Sequence, residues 1–381
     1  MTLQRHSSGI RALLTVFLLV LLSSTPGVFA WDAAAHRLSA SISDEYLLPS
    51  RREALLKILQ QHPRYAEDFQ AQMPAAIRAG STAAQARWLL GQAAVWPDLA
   101  RSLPERERRR YNHPNWHWID GRWLRPTEAT SAAAQGTATQ SADTAAMQGN
   151  VYVGMPPLPP ILNAGTGAVP RLNQVDNMML ALDYSLATLR DNTALMSERA
   201  IALCWVMHLL GDIHQPLHAG SLMSPRVFPD GDRGGNAIMT QDDNLHARWD
   251  QALSQQPLAE TLQQLLRQAE RLMDSAAVLD TDSDHWLQES RQILHSSVYS
   301  DEIIDAVLHS ERTGASLPRF TLDQPYQRQM RQLSEQRLLL AGLRLARVLN
   351  DQGLNEQGLN DLGLNEQAFN EQRLNNQRLN E

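Results

Sequence analysis

From Ala33 onward apolar residues recur at three- and four-residue intervals, and no stretch sustains the two-residue alternation of a half-buried strand. The series cover Ala33–Leu48, Arg52–Gln60, Ala83–Leu99, Val175–Leu189, Ser197–Leu210, Asn244–Met273, Trp286–Ser297, Asp301–His309 and Gln327–Leu349. Amphipathic helices in that number can bury their faces only against one another. The expected fold is therefore all-α, a single multi-helix domain, with at most a short β-hairpin around Gly234–Thr240. Hydrophobic residues make up 43% of the 381, enough for a substantial core.

The flanks of this pattern read differently. Arg5 and Arg11 precede the apolar run Ala12–Leu22, and small residues lead to Val28-Phe29-Ala30. A basic flank, a short apolar stretch and a small-residue cleavage point mark a secretory signal peptide over residues 1–30, with Trp31 as the mature N-terminus. The run is shorter than the ~20 residues of a membrane span, so an exported, periplasmic or secreted protein without stable membrane association is expected. Within the domain assigned to 31–349, residues 127–160 form an inserted loop. Its first part, Thr127–Asn150, is rich in Ala, Ser, Thr and Gln, and Pro156, Pro157, Pro159 and Pro160 follow. Residues 350–381 repeat every five residues, with Leu354, Leu359, Leu364, Phe369, Leu374 and Leu379 in register. That period winds around a 3.6-residue helix and leaves no single apolar face, so the tail reads as low complexity.

Composition narrows the chemistry. Lys+Arg total 34 against 41 Asp+Glu, a net charge of -7, which excludes a broad cationic face for duplex nucleic acid. A single cysteine, Cys204, excludes an intrachain disulfide framework and a cysteine-based zinc finger. Twelve histidines remain, several close to aspartates. His208 and Asp212 are four apart, on one face of a helix about one turn from each other. His246 and Asp250 repeat that spacing, and His218 follows Pro216 where the chain can fold back. Imidazole and carboxylate are zinc ligands, and two such pairs from separate helices can converge on one site. Two further groups stand nearer the N-terminus. Trp96-Pro97-Asp98 with Arg101 is followed by Trp116-His117-Trp118-Ile119-Asp120, and Trp31 itself, its α-amine free after processing, lies five residues before His36.

With these residues in order, the sequence resembles the zinc-dependent, single-strand-specific nucleases of fungi, plants and bacteria, members of the phospholipase C/nuclease superfamily. The resemblance rests on Trp31 with His36, Trp96-Pro97-Asp98 with Arg101, His117-Trp118-Ile119-Asp120, His208 with Asp212, Gln215-Pro216-Leu217-His218, Gly234-Gly235-Asn236, and Asn244-Leu245-His246 through Trp249-Asp250. It implies the helical fold of that superfamily and three zinc ions. Asp98, His117, His208 and Asp212 would hold one. Trp31, His36 and a bridging Asp212 would hold its neighbour, and His218, His246 and Asp250 the third. It further implies phosphodiester hydrolysis by a zinc-bridged hydroxide, acting on single-stranded RNA or DNA and on 3′-nucleotides and leaving 5′-phosphates. Arg101 would face the phosphate. Trp118 would stack on a base, with Asp120 accepting from its edge, and Asn236 would line the same pocket. No obligate protein partner is expected. The lack of disulfides and the inserted loop depart from the fungal and plant pattern. The rival reading is a phospholipase C with the same metals. It is disfavoured by the short spacing from Trp31 to His36 and by Asp250, where the lipases usually carry glutamate. A non-catalytic zinc-storage protein is a second rival.

Overall fold

The computed structural model describes residues 31–119, 147–148, 151–154, 170–254 and 256–351. Its helices, in chain order, are α1 (Ala33–Tyr46), α2 (Pro49–Leu59), α3 (Thr82–Leu99), α4 (Glu105–Tyr111), α5 (Met178–Arg190) and α6 (Met196–Asp212). They continue as α7 (Leu245–Asp250), α8 (Leu258–Ala269), α9 (Ser283–Ile293), α10 (Asp301–Thr313) and α11 (Gln324–Asp351), with four-residue helical turns at Ala75–Arg78 and Ala276–Leu279. The all-α expectation holds. Helix α1 lies against α3 and α11, while α6 lies against α3 and α5. The approach of α1 to α11 is close because residue 342 is glycine: a Cβ there would stand 2.5 Å from Cβ of Ile42.

Three corrections concern the secondary structure. The periodic run Asn244–Met273 is two helices, α7 and α8, because Pro257 caps the second and cannot continue the first. The β structure expected at Gly234–Thr240 is reduced to isolated bridges, Met239 with Asn244 and Thr240 with Phe320. The strands lie elsewhere: β1 (Met147–Gln148), β2 (Val151–Gly154) and β3 (Ser221–Met223) form an antiparallel sheet in the order β1-β2-β3. Part of the segment read as an inserted low-complexity loop thus pairs its backbone with β3, in the register Tyr152 to Met223 and Gly154 to Ser221. The signal segment, Asp120, most of the 127–160 loop and all but the first two residues of the repeat tail lie outside the described residues. Among the described residues no helix is long and apolar enough to cross a membrane.

Buried apolar side chains fall into three clusters. The largest joins α2, α3, α5 and α6 and includes Trp96, Cys204, Trp205, Met207 and Leu209. A second holds Leu217, Leu245, Trp249 and residues of α10. The third holds Trp31, Ala35, Leu38 and Ile42 against Leu338–Leu340 and Leu343 of α11. Each of the following is flanked in the chain by members of one cluster: His36 by the third, His208 by the first, and His246 and Asp250 by the second.

Candidate metal centre

Local structure delivers each side chain to the point where the clusters meet. Asp32 caps α1 by accepting from the Ala35 N–H, which places His36 in the first turn. Asn244 caps α7 in the same way through Ala247, starting the turn that sets His246 and Asp250 on one face. Pro216 opens a 3₁₀ turn, Pro216–His218, which redirects the chain after α6 and brings His218 back. Pro97 inside α3 leaves the Ala93 carbonyl without its helical donor. One residue on, the Ala94 carbonyl accepts from Nδ1 of His208 at 2.8 Å.

His36, Asp98, His117, His208, Asp212, His218, His246 and Asp250 are all buried. They form three sets whose ligand atoms lie within 4.8 Å of one another: His36, His208 and Asp212; Asp98, His117 and His208; and His218, His246 and Asp250. His208 is common to the first two. Asp212 turns one oxygen to each side, Oδ2 at 3.1 Å from Nε2 of His208 and 3.2 Å from Nδ1 of His117, Oδ1 at 3.4 Å from Nε2 of His36. Nδ1 of His117 and Nε2 of His208 are 2.9 Å apart, and Nε2 of His218 and His246 3.2 Å apart. Nε2 of His246 is 3.4 Å from Oδ2 of Asp250. Zinc–nitrogen distances of ~2.0–2.1 Å give a tetrahedron with an edge of about 3.3–3.4 Å, so these spacings match a metal coordination shell.

The orphaned atoms say the same. Both ring nitrogens of His36, Oδ2 of Asp98 and Oδ1 of Asp212 are buried and make no hydrogen bond among the described residues. A buried polar atom left so costs about 1–3 kcal/mol; several at one point fit a cation between them. Three imidazoles are moreover oriented from behind. Nδ1 of His208, His218 and His246 donates to the carbonyls of Ala94, His117 and Gly234 at 2.8, 2.5 and 2.6 Å, directing Nε2 inward. His36 stacks on His208 with ring centroids 3.9 Å apart. This stacking needs glycine at 211, where a Cβ would meet Nδ1 of His36 at 2.8 Å.

At His36, His117, His218, His246, Asp98 and Asp212 the electrostatics favour the metal-binding protonation states. At His208, by contrast, the effect of burial is outweighed by Asp212 and Asp98, and the imidazole is raised. Burial pushes the imidazoles of His117 and His246 down to about 3, and lowers those of His36 and His218. Burial works against the Asp212 charge, but His208 and His218 outweigh it and hold the carboxyl well below its usual range. Asp98 is lowered likewise, against burial, by His208 and Arg101. Asp250 goes the other way: burial raises it, opposed by a hydrogen bond from Gln215.

The remaining expected site residues are less uniform. Arg101 reaches Asp98 at 2.8 Å and stands at the edge of the cluster. Trp118 is half-buried beside His117. Asn236 donates to the Arg233 carbonyl at 2.8 Å. Trp31 is fully buried, its indole donating to the Gly211 carbonyl at 2.9 Å. His214 faces away from the ligands, bonding Leu210 through Nδ1 and Arg344 through Nε2 at 2.8 Å each.

Comparison with known proteins finds a match over part of the chain. Residues 169–352 match the family model for S1/P1 nuclease. That segment of the chain is of the S1/P1 nuclease type. The matched segment carries His208, Asp212, His218, His246 and Asp250, while His36, Asp98 and His117 precede it. Similar proteins include Endonuclease 4 of Arabidopsis thaliana, 31% identical over 156 residues, or 39% of this chain and 49% of that protein. Endonuclease 5 of the same plant is 29% identical over 194 residues, covering 49% and 59% of the two chains. Endonuclease 3 is 29% identical over 196 residues, covering 49% and 60%. The chain thus spans about half to three fifths of the length of these relatives.

Gln215 carries no role that its sequence context would suggest, yet the structure gives it one. It is fully buried, its amide nitrogen donates to Oδ1 of Asp250 at 2.7 Å, and its carbonyl accepts from the Leu217 N–H at 2.7 Å. One residue therefore fixes both the Asp250 carboxylate and the turn carrying His218. A Gln215→Leu variant is expected to lose about 10–100-fold in affinity at the third ligand set, with the first two sets unchanged. Competition titration with a zinc chelator checks this; three site affinities equal to wild type would refute it.

Proposed function

We propose that this chain is a zinc-dependent nuclease that cleaves single-stranded RNA or DNA to 5′-phosphorylated products and also acts on 3′-nucleotides. The observation that carries the reading is the convergence of eight buried histidines and aspartates into three metal-ligand sets, in a chain with a segment of the S1/P1 nuclease type whose similar plant proteins are named endonucleases.

In this reading Asp98, His117, His208 and Asp212 hold one zinc, and His36 with Asp212 and the Trp31 α-amine and carbonyl holds its neighbour. His218, His246 and Asp250 hold the third. When bound, zinc supplies Lewis-acid stabilisation of charge on phosphoryl oxygens and lowers the pKa of water. The chain's own groups do the rest. Asp212 couples the first two sets by giving an oxygen to each. The carbonyls behind His208, His218 and His246 keep those rings in the tautomer whose Nε2 lone pair faces inward. Arg101, next to Asp98, offers a guanidinium whose fork fits phosphate. Trp118 supplies an aromatic face, and stacking of a free base on such a face is worth ~1–3 kcal/mol whatever its identity. Asp120 accepts from the base edge and Asn236 lines the same pocket. Export through residues 1–30 frees the Trp31 amine.

The test is zinc analysis and hydrolysis assays on protein beginning at Trp31, alongside a form extended by a few residues. The expected outcome is cleavage of single strands well above duplex DNA and lecithin, with one zinc and most activity lost on extension. Faster hydrolysis of lecithin than of single-stranded DNA would instead support the phospholipase. Zinc binding without hydrolysis of any of these substrates would support storage.

A further inference from the structure

A cleft of about 230 Å³ lies between α7 and the start of α11, lined by Arg248, Gln251, Gln324, Gln327, Arg328 and Arg331. In a chain with 34 basic and 41 acidic residues, three arginines around one small cleft run against the overall balance. Acidic neighbours hold two of them: Arg248 lies 3.6 Å from Asp242, and Arg331 bonds Glu335 at 3.1 Å. Arg328 is exposed and makes no ion pair among the described residues. The other polar groups lining the cleft are glutamine amides, which can donate without adding charge.

We infer that this cleft is a second anion site, which grips a backbone phosphate of the single strand a few nucleotides away from the point of cleavage. The inference rests on the nuclease reading for its choice of ligand and goes beyond it in position. Guanidinium matches phosphate oxygens with two parallel donors and stays charged at every working pH. The volume is below the ~300–1,000 Å³ of small-molecule pockets, a size for a phosphate and its sugar.

Position connects the cleft to the metal centre. Arg248 lies on α7 between His246 and Asp250. At 100° per residue the ligands share one face and Arg248 points from the opposite one. The two faces are separated by the ~10–12 Å diameter of a helix with its side chains. A strand anchored at the third ligand set can therefore reach the cleft only if it continues for a few nucleotides around α7. The subsite acts on long substrates and is beyond the reach of a dinucleotide.

The experiment uses the zinc-loaded chain with Arg328→Ala, Arg328→Glu and Arg328→Lys, exposed substitutions that leave the core untouched. Anisotropy of a fluorescein-labelled phosphorothioate oligothymidylate reads binding; hydrolysis of a long oligonucleotide and of a dinucleotide reads cleavage. Arg328→Ala should weaken oligonucleotide binding about tenfold and Arg328→Glu more, with Arg328→Lys recovering part of the loss. The slope of log affinity against log salt should flatten by about 0.7 for each backbone phosphate that is no longer neutralised. The long-to-dinucleotide ratio of kcat/KM should fall by the same factor as binding. If all three variants bind with the wild-type affinity and salt slope, the subsite is overturned, whatever the protein cleaves. If binding falls as described but wild type hydrolyses neither substrate, the nuclease reading fails and the anion site stands.

Discussion

Asp212→Asn is expected to abolish two metal sites at once and to lower hydrolysis by about 10³-fold or more. Asp212 is the carboxylate that faces two ligand sets with separate oxygens, Oδ1 toward His36 and Oδ2 toward His117 and His208. An amide of the same shape can present an acceptor to only one of them, and it turns N–H donors toward the other. Loss of metal-based charge stabilisation removes several kcal/mol from the transition state, and each 1.36 kcal/mol is tenfold in rate. Asp250→Asn provides the contrast, because Asp250 faces only His246 within the third set. Metal analysis of the two variants should show a loss of two zinc ions for Asp212→Asn and one for Asp250→Asn, with far-ultraviolet circular dichroism unchanged in both. Equal losses would remove Asp212 from its bridging position.

That Asp212 stands out in the sequence at all comes from helical spacing. His208 with Asp212, and His246 with Asp250, are each one turn apart, and a helix leaves them no choice but to share a face. His218 is legible through Pro216, which follows the end of α6 and forces a turn. His36, Asp98 and His117 carry no such local signal; their place comes only from the order of motifs along the chain. What sequence does not supply are the interactions made by backbone. The carbonyls of Ala94 and Gly234, which orient two of the imidazoles, belong to residues whose side chains take no part, and His117 orients a third through its carbonyl. The amide of Gln215 is chemically the same as any of the surface glutamines. Element boundaries fail where a single residue overrides a periodic pattern. Pro257 splits one apolar series into two helices, and β2 pairs with β3 although its neighbours read as low complexity. The arginine cleft is invisible for a related reason: Arg248 and Arg328 are far apart in the chain, and only the packing of α7 near α11 joins them.

Chelation of the bound metal should lower the melting temperature by roughly 6 °C per ion. A ligand present at 1,000 times its Kd adds about 4.1 kcal/mol, and each kcal/mol moves Tm by ~1.5 °C in a helical domain of this size, at ~2.1 cal/mol/K of unfolding entropy per residue. The metal-free centre keeps its buried imidazoles without the cation, and acid then acts in the same direction. Burial holds His117 and His246 neutral down to about 3, and the same cause puts His62, outside the centre between Phe69 and Trp96, at about 3. In the unfolded chain these groups protonate near 6.5. Between the two values the unfolded state binds more protons, so stability is lost as pH falls from about 6.5 toward 3. Each histidine contributes ~1.4 kcal/mol per pH unit over that window. Melting curves of the chelated protein between pH 7.5 and 4.5 should therefore be flat at the upper end and steep below 6.5. Holoprotein curves should stay higher until the ligands release zinc to protons. His62→Phe should remove its share of the acid slope and leave zinc content intact, because the ring fills the same apolar space and no ligand touches it. A chelated protein whose Tm is constant from pH 6.5 to 4.5 would mean that these imidazoles are not buried in the folded chain.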